Sequence, residues 1–121
     1  MRRILAVDDN EDILEILKLI LEDYGYEVTT LADGGLLFDE IKKHKPDLIL
    51  LDIMLGKMDG RELCKAVRSN LETNDIPIIL ISASHNLSER FMPGSSHIDF
   101  LAKPFDISEL LDKVSINLSA A

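Results

Sequence analysis

Hydrophobic residues follow one another along this chain in two alternating rhythms. Short unbroken runs (Ile4 to Val7, Leu48 to Leu51, Ile78 to Ile81, Phe100 to Ala102) are separated by longer segments in which apolar residues return every three or four positions. The runs predict strands buried on both faces, and the wider spacing predicts amphipathic helices. The first strand is expected over Arg3 to Val7 and the first helix over Glu11 to Tyr24. In that helix Ile13, Ile16, Leu17, Ile20 and Tyr24 form the apolar stripe, Leu14 and Leu21 widen it, and Gly25 reads as its stop. Glu27 to Leu31 alternates as a second, less buried strand, and Asp33-Gly34-Gly35 leads into a helix ending near Lys43.

Pro46 punctuates before a third strand, Asp47 to Leu51. Asp59 and Glu62 make a capping-box-like start for a third helix. Ile76 to Ile81 reads as a fourth strand, with Pro77 near its start, where a missing donor is tolerated. From His85 to Ile98 apolar residues are few and Pro93-Gly94-Ser95-Ser96 intervenes, so only a short or irregular fourth helix is expected. Asp106 and Glu109 open a last helix with Ile107, Leu110, Leu111, Val114 and Leu118 on one face. This alternation predicts an α/β fold, a parallel sheet with right-handed crossovers and helices on both faces.

Composition narrows the class. A chain of 121 residues, 46% hydrophobic and 29% charged, is expected to form one soluble domain over 1–121. Its 22 acids against 13 bases give a formal charge of -9, which predicts no nucleic-acid partner. The lone Cys64 excludes an internal disulfide and a Cys-rich zinc site, and its place in the third helix predicts a small buried hydrophobe. After Met1-Arg2-Arg3 only four apolar residues precede two aspartates, too few for a signal peptide, and no run reaches membrane-spanning length. A cytoplasmic protein without a membrane partner is expected.

Chemistry enters at the ends of the runs. They terminate in Asp8-Asp9, Asp52, Ser82 and Lys103-Pro104, and in a parallel sheet all four tips share the edge where open α/β sheets bind ligands. Clustered aspartates repel one another, and a divalent cation relieves that repulsion. Oxygen donors select a hard ion, and Mg2+ suits a small open site with few carboxylates. Lys103 supplies a point charge for a phosphoryl oxygen or for Asp52, and Ser82 a hydroxyl donor. Taken singly, each has a plainer reading: Asp9 as a helix cap, Ser82 as a turn former, Lys103 as a surface lysine before a proline.

Together these residues resemble the receiver domain of two-component response regulators, the CheY-like family. The matching pieces are Asp8-Asp9, Asp52 within Leu51-Asp-Ile-Met-Leu-Gly-Lys-Met-Asp-Gly60, Ser82-Ala83, and Phe100-Leu-Ala-Lys-Pro-Phe105. The resemblance spans the whole chain. It implies a flavodoxin-like (βα)5 three-layer sandwich whose five-stranded sheet has the order 2-1-3-4-5. It implies that Asp52 accepts a phosphoryl group from a phosphohistidine on a sensor histidine kinase or histidine phosphotransfer protein. Asp9 would bind Mg2+ directly, Asp8 mostly through water, and the Met54 backbone carbonyl would complete the protein ligands. Lys103 and Ser82 would grip the phosphoryl oxygens, and Ser82 and Phe100 would switch with phosphorylation.

The resemblance further implies a protein that promotes only its own phosphorylation and dephosphorylation and turns over no separate metabolite. With only three residues after the last helix, output is expected through a downstream protein target, from a single-domain regulator that is a monomer or weak dimer. Two departures from the family pattern stand out. Gly56-Lys57 replaces the usual proline after the phosphoacceptor, which is expected to loosen that loop, and Ser96-His97 replaces Gly-Ala before the last strand. His44, His85 and His97 read as surface or partly packed side chains, and Met54 and Ser84 occupy positions that vary among receivers and set dephosphorylation speed.

Rival readings remain open at this point. One is a degenerate receiver that works as a phosphate-independent interaction module, for which only Gly56-Lys57 speaks. A Mg2+-dependent phosphohydrolase would want a second Asp at position 54, which is Met. A flavodoxin would want glycine and hydroxyls, not aspartates, after the first strand.

Overall fold

The computed structural model describes residues 1–83 and 98–119. Five strands form one parallel sheet: β1 (Arg3–Val7), β2 (Glu27–Leu31), β3 (Leu48–Asp52), β6 (Ile78–Ser82) and β7 (Ile98–Ala102), in the order β2-β1-β3-β6-β7. Two further strands, β4 (Met54–Leu55) and β5 (Met58–Asp59), pair only with each other as an antiparallel hairpin after β3. With that hairpin set aside, the order is the 2-1-3-4-5 expected of the flavodoxin-like sandwich. The expected fourth helix, with Ser84, His85, Ser96 and His97, lies outside the described residues.

The strand runs are unbroken because each strand alternates between two cores. Ile4, Ala6, Leu48, Leu50, Ile79 and Ile81 face one layer; Leu5, Val7, Ile49, Leu51, Ile78 and Leu80 face the other. The first layer is closed by α1 (Glu11–Asp23) and α4 (Ile107–Ser119), the second by α2 (Leu37–His44) and α3 (Gly60–Ser69). Each buried Leu or Ile contributes about 1.5–3 kcal/mol, so this double burial is what selects the parallel arrangement.

The helix stripes are shifted from the expected ones. In α1 the buried positions are Leu14, Leu17 and Leu21, flanked by the half-buried Ile13 and Ile20, whereas Ile16 and Tyr24 are 55% and 63% exposed. In α4 Leu110, Val114 and Leu118 are buried, but Ile107 is exposed. Both apolar stripes are wider than the line of contact with the sheet, so their edges stay in solvent.

Helix ends follow local chemistry. Asn10 caps α1, its Oδ1 accepting from the amides of Asp12 at 2.9 Å and Ile13 at 3.3 Å, and Gly25 (φ +94°) ends that helix in the left-handed region. Asp59 caps α3 through the Arg61 amide, and Asp106 Oδ1 accepts from the Glu109 amide at 2.8 Å at the start of α4. A 3-10 turn, Gly34–Leu36, precedes α2 and is capped by Asp33. Cys64 is fully buried in α3, and burial pushes its thiol up to about 11, as suits a packing residue. No helix among the described residues is long and apolar enough to cross a membrane.

Candidate functional site

Strand register brings the site together. Val7 lies level with Leu51, so Asp8, the next residue, comes level with Asp52. Asp52 pairs with Ile81, and Ser82 pairs with Ala102, so Ser82 lies one step and Lys103 two steps beyond the acids on the same edge. Parallel strands of nearly equal length therefore deliver all of the expected polar tips to one place.

Asp8 and Asp52 are almost wholly buried, at 1% and 5% exposure, while Asp9 is open to solvent. Each of the three offers a carboxylate oxygen within 4.8 Å of the others. Lys103 Nζ donates to Asp52 Oδ2 at 3.0 Å and to Asp8 Oδ2 at 3.3 Å. Its own amide donates to the Ser82 carbonyl at 2.7 Å, fixing the chain just before the cis Lys103-Pro104 peptide. The Met54 amide donates to Asp52 Oδ1 at 3.2 Å, and the Asn10 amide to Asp8 Oδ1 at 2.9 Å.

Electrostatics follow from this burial. Asp8 is held above the ordinary aspartate range, first by desolvation and then by the Asp52 charge, against the opposing Asn10 amide and Lys103. For Lys103 desolvation favours the neutral amine, but the hydrogen bond and charge of Asp52, then Asp8, outweigh it and raise its pKa. Three carboxyl groups face a single ammonium, so the edge is short of positive charge. All the donors are hard oxygens, so the set fits a small divalent cation such as Mg2+.

Each expected site residue has a definite place. Asp8, Asp9, Asp52 and Lys103 form the cluster, and half-buried Ser82 ends β6 beside it. Phe100, in β7 level with Leu80, is half-buried with its ring packed on the core shared with α2 and α3. The plainer reading of Asp9 as the cap of α1 does not hold, because Asn10 takes that role.

The loop after Asp52 is also not as expected. Leu55 pairs with Met58, leaving Gly56-Lys57 as a two-residue hairpin turn with Gly56 at φ +60°. Lys57 is not among the residues of positive φ, and a positive φ at the first position alone marks a type II′ turn. Glycine therefore supplies the positive φ that this two-residue turn requires. The signal was present in a Gly-X pair between apolar residues, but strands of only two residues carry no readable period. Gly60 was also missed as a site residue. A Cβ there would overlap the Asp52 backbone carbonyl, and the Gly60 amide donates to the Ile53 carbonyl at 2.7 Å.

The sequence model of the response regulator receiver domain matches residues 4–115. The chain belongs to the response regulator receiver family. The receiver is 36% identical over 115 residues to the DNA-binding dual master transcriptional regulator RpaA of Synechocystis, covering 94% of this chain and 48% of that protein. The chain thus spans about half the length of the curated relatives it matches. Among solved structures it resembles the chemotaxis protein CheY4 of Vibrio cholerae, with TM-score 0.86, 31% identity, and 96% and 98% of the two chains covered. It also resembles the receiver domain of the sensor histidine kinase PA1611 of Pseudomonas aeruginosa (TM-score 0.85, 28% identity, 98% of each chain), a structure with magnesium coordinated in its active-site cleft.

One expectation is corrected by these relatives. Acidic charge and the short end of the chain pointed to a monomer or weak dimer with no nucleic-acid partner and output through a protein target. RpaA, matched by this receiver over about half its length, is a DNA-binding regulator. Charge read from a receiver reports on its own surface only, and an acidic receiver is compatible with a regulator that binds DNA.

Proposed function

We propose that this receiver takes a phosphoryl group onto Asp52 from a phosphohistidine of a sensor histidine kinase or phosphotransfer protein, and signals through the resulting change in its surface. The observation that carries this reading is the pairing of Asp52 with Lys103 at 3.0 Å inside a cluster of three carboxylates. An Asp52 carboxylate oxygen forms the bond to phosphorus as the P–N bond of the donor breaks, and the electron pair leaves with the imidazole. Lys103, now shared between Asp52 and Asp8, turns to a phosphoryl oxygen once Asp52 is esterified, and the Ser82 hydroxyl donates to another.

Asp8, Asp9, Asp52 and the Met54 carbonyl would hold Mg2+, which supplies positive charge against the charge developing on the transferring group. Asp52 itself is held for attack by the Met54 amide on Oδ1 and by Lys103 on Oδ2. Catalysis is then positioning and electrostatics, limited to the receiver's own phosphorylation and hydrolysis. Phosphate adds nearly two charges and strong acceptors at the end of β3, and Ser82 and Phe100 repack to answer them.

The test is intact mass after incubation with acetyl phosphate, with and without Mg2+, beside Asp52→Asn. A Mg2+-dependent gain of one phosphoryl group, absent from the variant, is expected. No gain under conditions that label another receiver would overturn the proposal in favour of a phosphate-independent module.

A further inference from the structure

The β4–β5 hairpin closes one side of the acidic cluster, yet it forms a separate two-stranded sheet and takes no place in the main one. Something else must set its height. On its upper side Gly56 lies against the acids: a Cβ at that residue would stand 3.8 Å from Asp9 Oδ2. Met54, in the same hairpin, donates its amide to Asp52 Oδ1. The Leu55 and Met58 side chains of the hairpin, with Leu63 of α3, crowd around Gly34. A Cβ at Gly34 would stand 2.8 Å from Leu63 Cδ1, 3.2 Å from Leu55 Cδ1 and 3.3 Å from Met58 Sδ.

Leu55 and Met58 are the cross-strand pair that flanks the Gly56-Lys57 turn, so the floor under Gly34 and the roof over Asp9 belong to the same few residues. Gly34 is itself held firmly. Asp33 Oδ1 accepts from the Gly35 amide at 2.8 Å, and the Asp33 carbonyl accepts from the Leu36 amide at 3.2 Å. The turn before α2 therefore presents a fixed, side-chain-free surface on which Leu55 and Met58 settle.

We infer that Gly34 is a positioning residue for the cation site: its missing side chain sets the height of the β4–β5 hairpin over Asp9 and Asp52. This rests on the reading that the acidic cluster binds Mg2+. A methyl group at 34 displaces the end of Leu63 first, and also presses on Leu55 and Met58, each of which must give by a few tenths of an ångström. A packed hairpin passes that shift to the Gly56 turn and to the Met54 amide, because an interior without voids transmits strain. Trimming Met58 should produce the converse fault, a hairpin that sinks into a gap. Combined, the two changes offset each other in part, because trimming Met58 frees one of the contacts that the methyl group crowds.

The test is Mg2+ affinity of the full chain, by calorimetry and by the amide shifts of Asp9, Met54 and Gly56. It compares wild type, Gly34→Ala, Met58→Ala and the double variant, each below its own thermal midpoint. Each single change is expected to weaken Mg2+ about three- to tenfold, and the double variant to recover part of the loss. Val67→Ala, which opens the same core layer under α3 away from the hairpin, should lower stability and leave affinity unchanged. If Gly34→Ala does not fold, Met58→Ala against the double variant decides the matter. Wild-type affinity in the single variants, or a double variant no tighter than the weaker single, would overturn the inference while leaving the cation site intact. A wild type that binds no Mg2+ would remove both.

Discussion

The Lys103 ammonium stands 3.0 Å from Asp52 Oδ2, pairing a half-buried cation with a carboxylate that is 5% exposed. The same ammonium reaches Asp8, so it neutralises part of two buried charges at once. Lys103→Met leaves those carboxylates facing each other. Breaking a fully buried pair costs about 3–5 kcal/mol, and the partial exposure of Lys103 reduces this to about 1–3 kcal/mol. Urea denaturation in Mg2+-free buffer should show that loss, and Mg2+ should stabilise the variant more than wild type. Equal stability without Mg2+ would mean that the pair contributes nothing to the fold.

Asp8 carries the opposite sign. Its pKa is raised from 3.8 by desolvation and by Asp52, so folding favours its neutral form. The cost of ionising it is present above the folded pKa and disappears as pH falls through that value toward the unfolded one. Asp8→Asn is therefore expected to raise the thermal midpoint by about 2–6 °C at neutral pH without Mg2+. That advantage should shrink on acidification, and added Mg2+ should reverse it. Thermal scans at several pH values with and without the ion check all three.

Adjacent residues at the start of α1 should separate cleanly in their effects. Asn10→Ala removes the side-chain cap and is expected to cost about 1 kcal/mol while Mg2+ affinity changes little. Asp9→Ala removes no cap. It should leave stability unchanged or higher and weaken Mg2+ severely. Chemical denaturation and calorimetric Mg2+ titration of both variants decide whether these neighbours have different tasks.

Gly60→Ala tests how closely α3 approaches the Asp52 backbone. The added methyl meets a carbonyl that cannot rotate away, so a loss of about 1–3 kcal/mol is expected, with amide shifts centred on Asp52 and Ile53. At Gly25 a Cβ meets nothing within 4 Å, and the φ of +94° alone opposes Gly25→Ala. That variant should cost about 1–2 kcal/mol and leave the Asp52 region undisturbed.

A polar clasp joins the edge strand β7 to α4. Asp99 Oδ1 accepts from Lys113 Nζ at 3.1 Å and from the Phe100 amide at 2.8 Å, while Oδ2 accepts from Asn117 Nδ2 at 3.1 Å. Desolvation pushes the Asp99 pKa up, but these donors outweigh it and hold the group below its ordinary 3.8. The clasp thus adds stability above that value, and the gain is lost as pH falls through the depressed pKa. Asp99→Asn should cost about 1 kcal/mol at pH 7, allowing for partial exposure, and close to nothing in strong acid. A pH-independent difference would assign the effect to shape and not to charge.

Much of this receiver was legible in its sequence because the informative interactions are local or periodic. The runs at Ile4, Leu48 and Ile78 have to be doubly covered strands, and Asp59 and Asp106 announce the helices they cap. Once those strands are parallel, Asp8, Asp52, Ser82 and Lys103 must meet, since each directly follows or ends a run of similar length. The family pattern supplied the sheet order that periodicity alone leaves open.

Other features depend on partners far along the chain. Which side of the α1 stripe is buried was decided by the sheet beneath it, which chose Leu14, Leu17 and Leu21 over Ile16 and Tyr24. Asn10 caps α1 while its own amide holds Asp8, an arrangement two neighbouring candidates could have shared in several ways. The hairpin of Met54–Leu55 and Met58–Asp59 is too short to show a period, and Gly34, some twenty residues earlier, fixes where it rests. Sequence determined the elements and the polar tips, because burial and capping are written into neighbouring residues. Tertiary structure alone decided the distances among Lys103, Asp52 and Asp8 and the height of the loop above them, because close packing sets those through atoms that are distant in sequence.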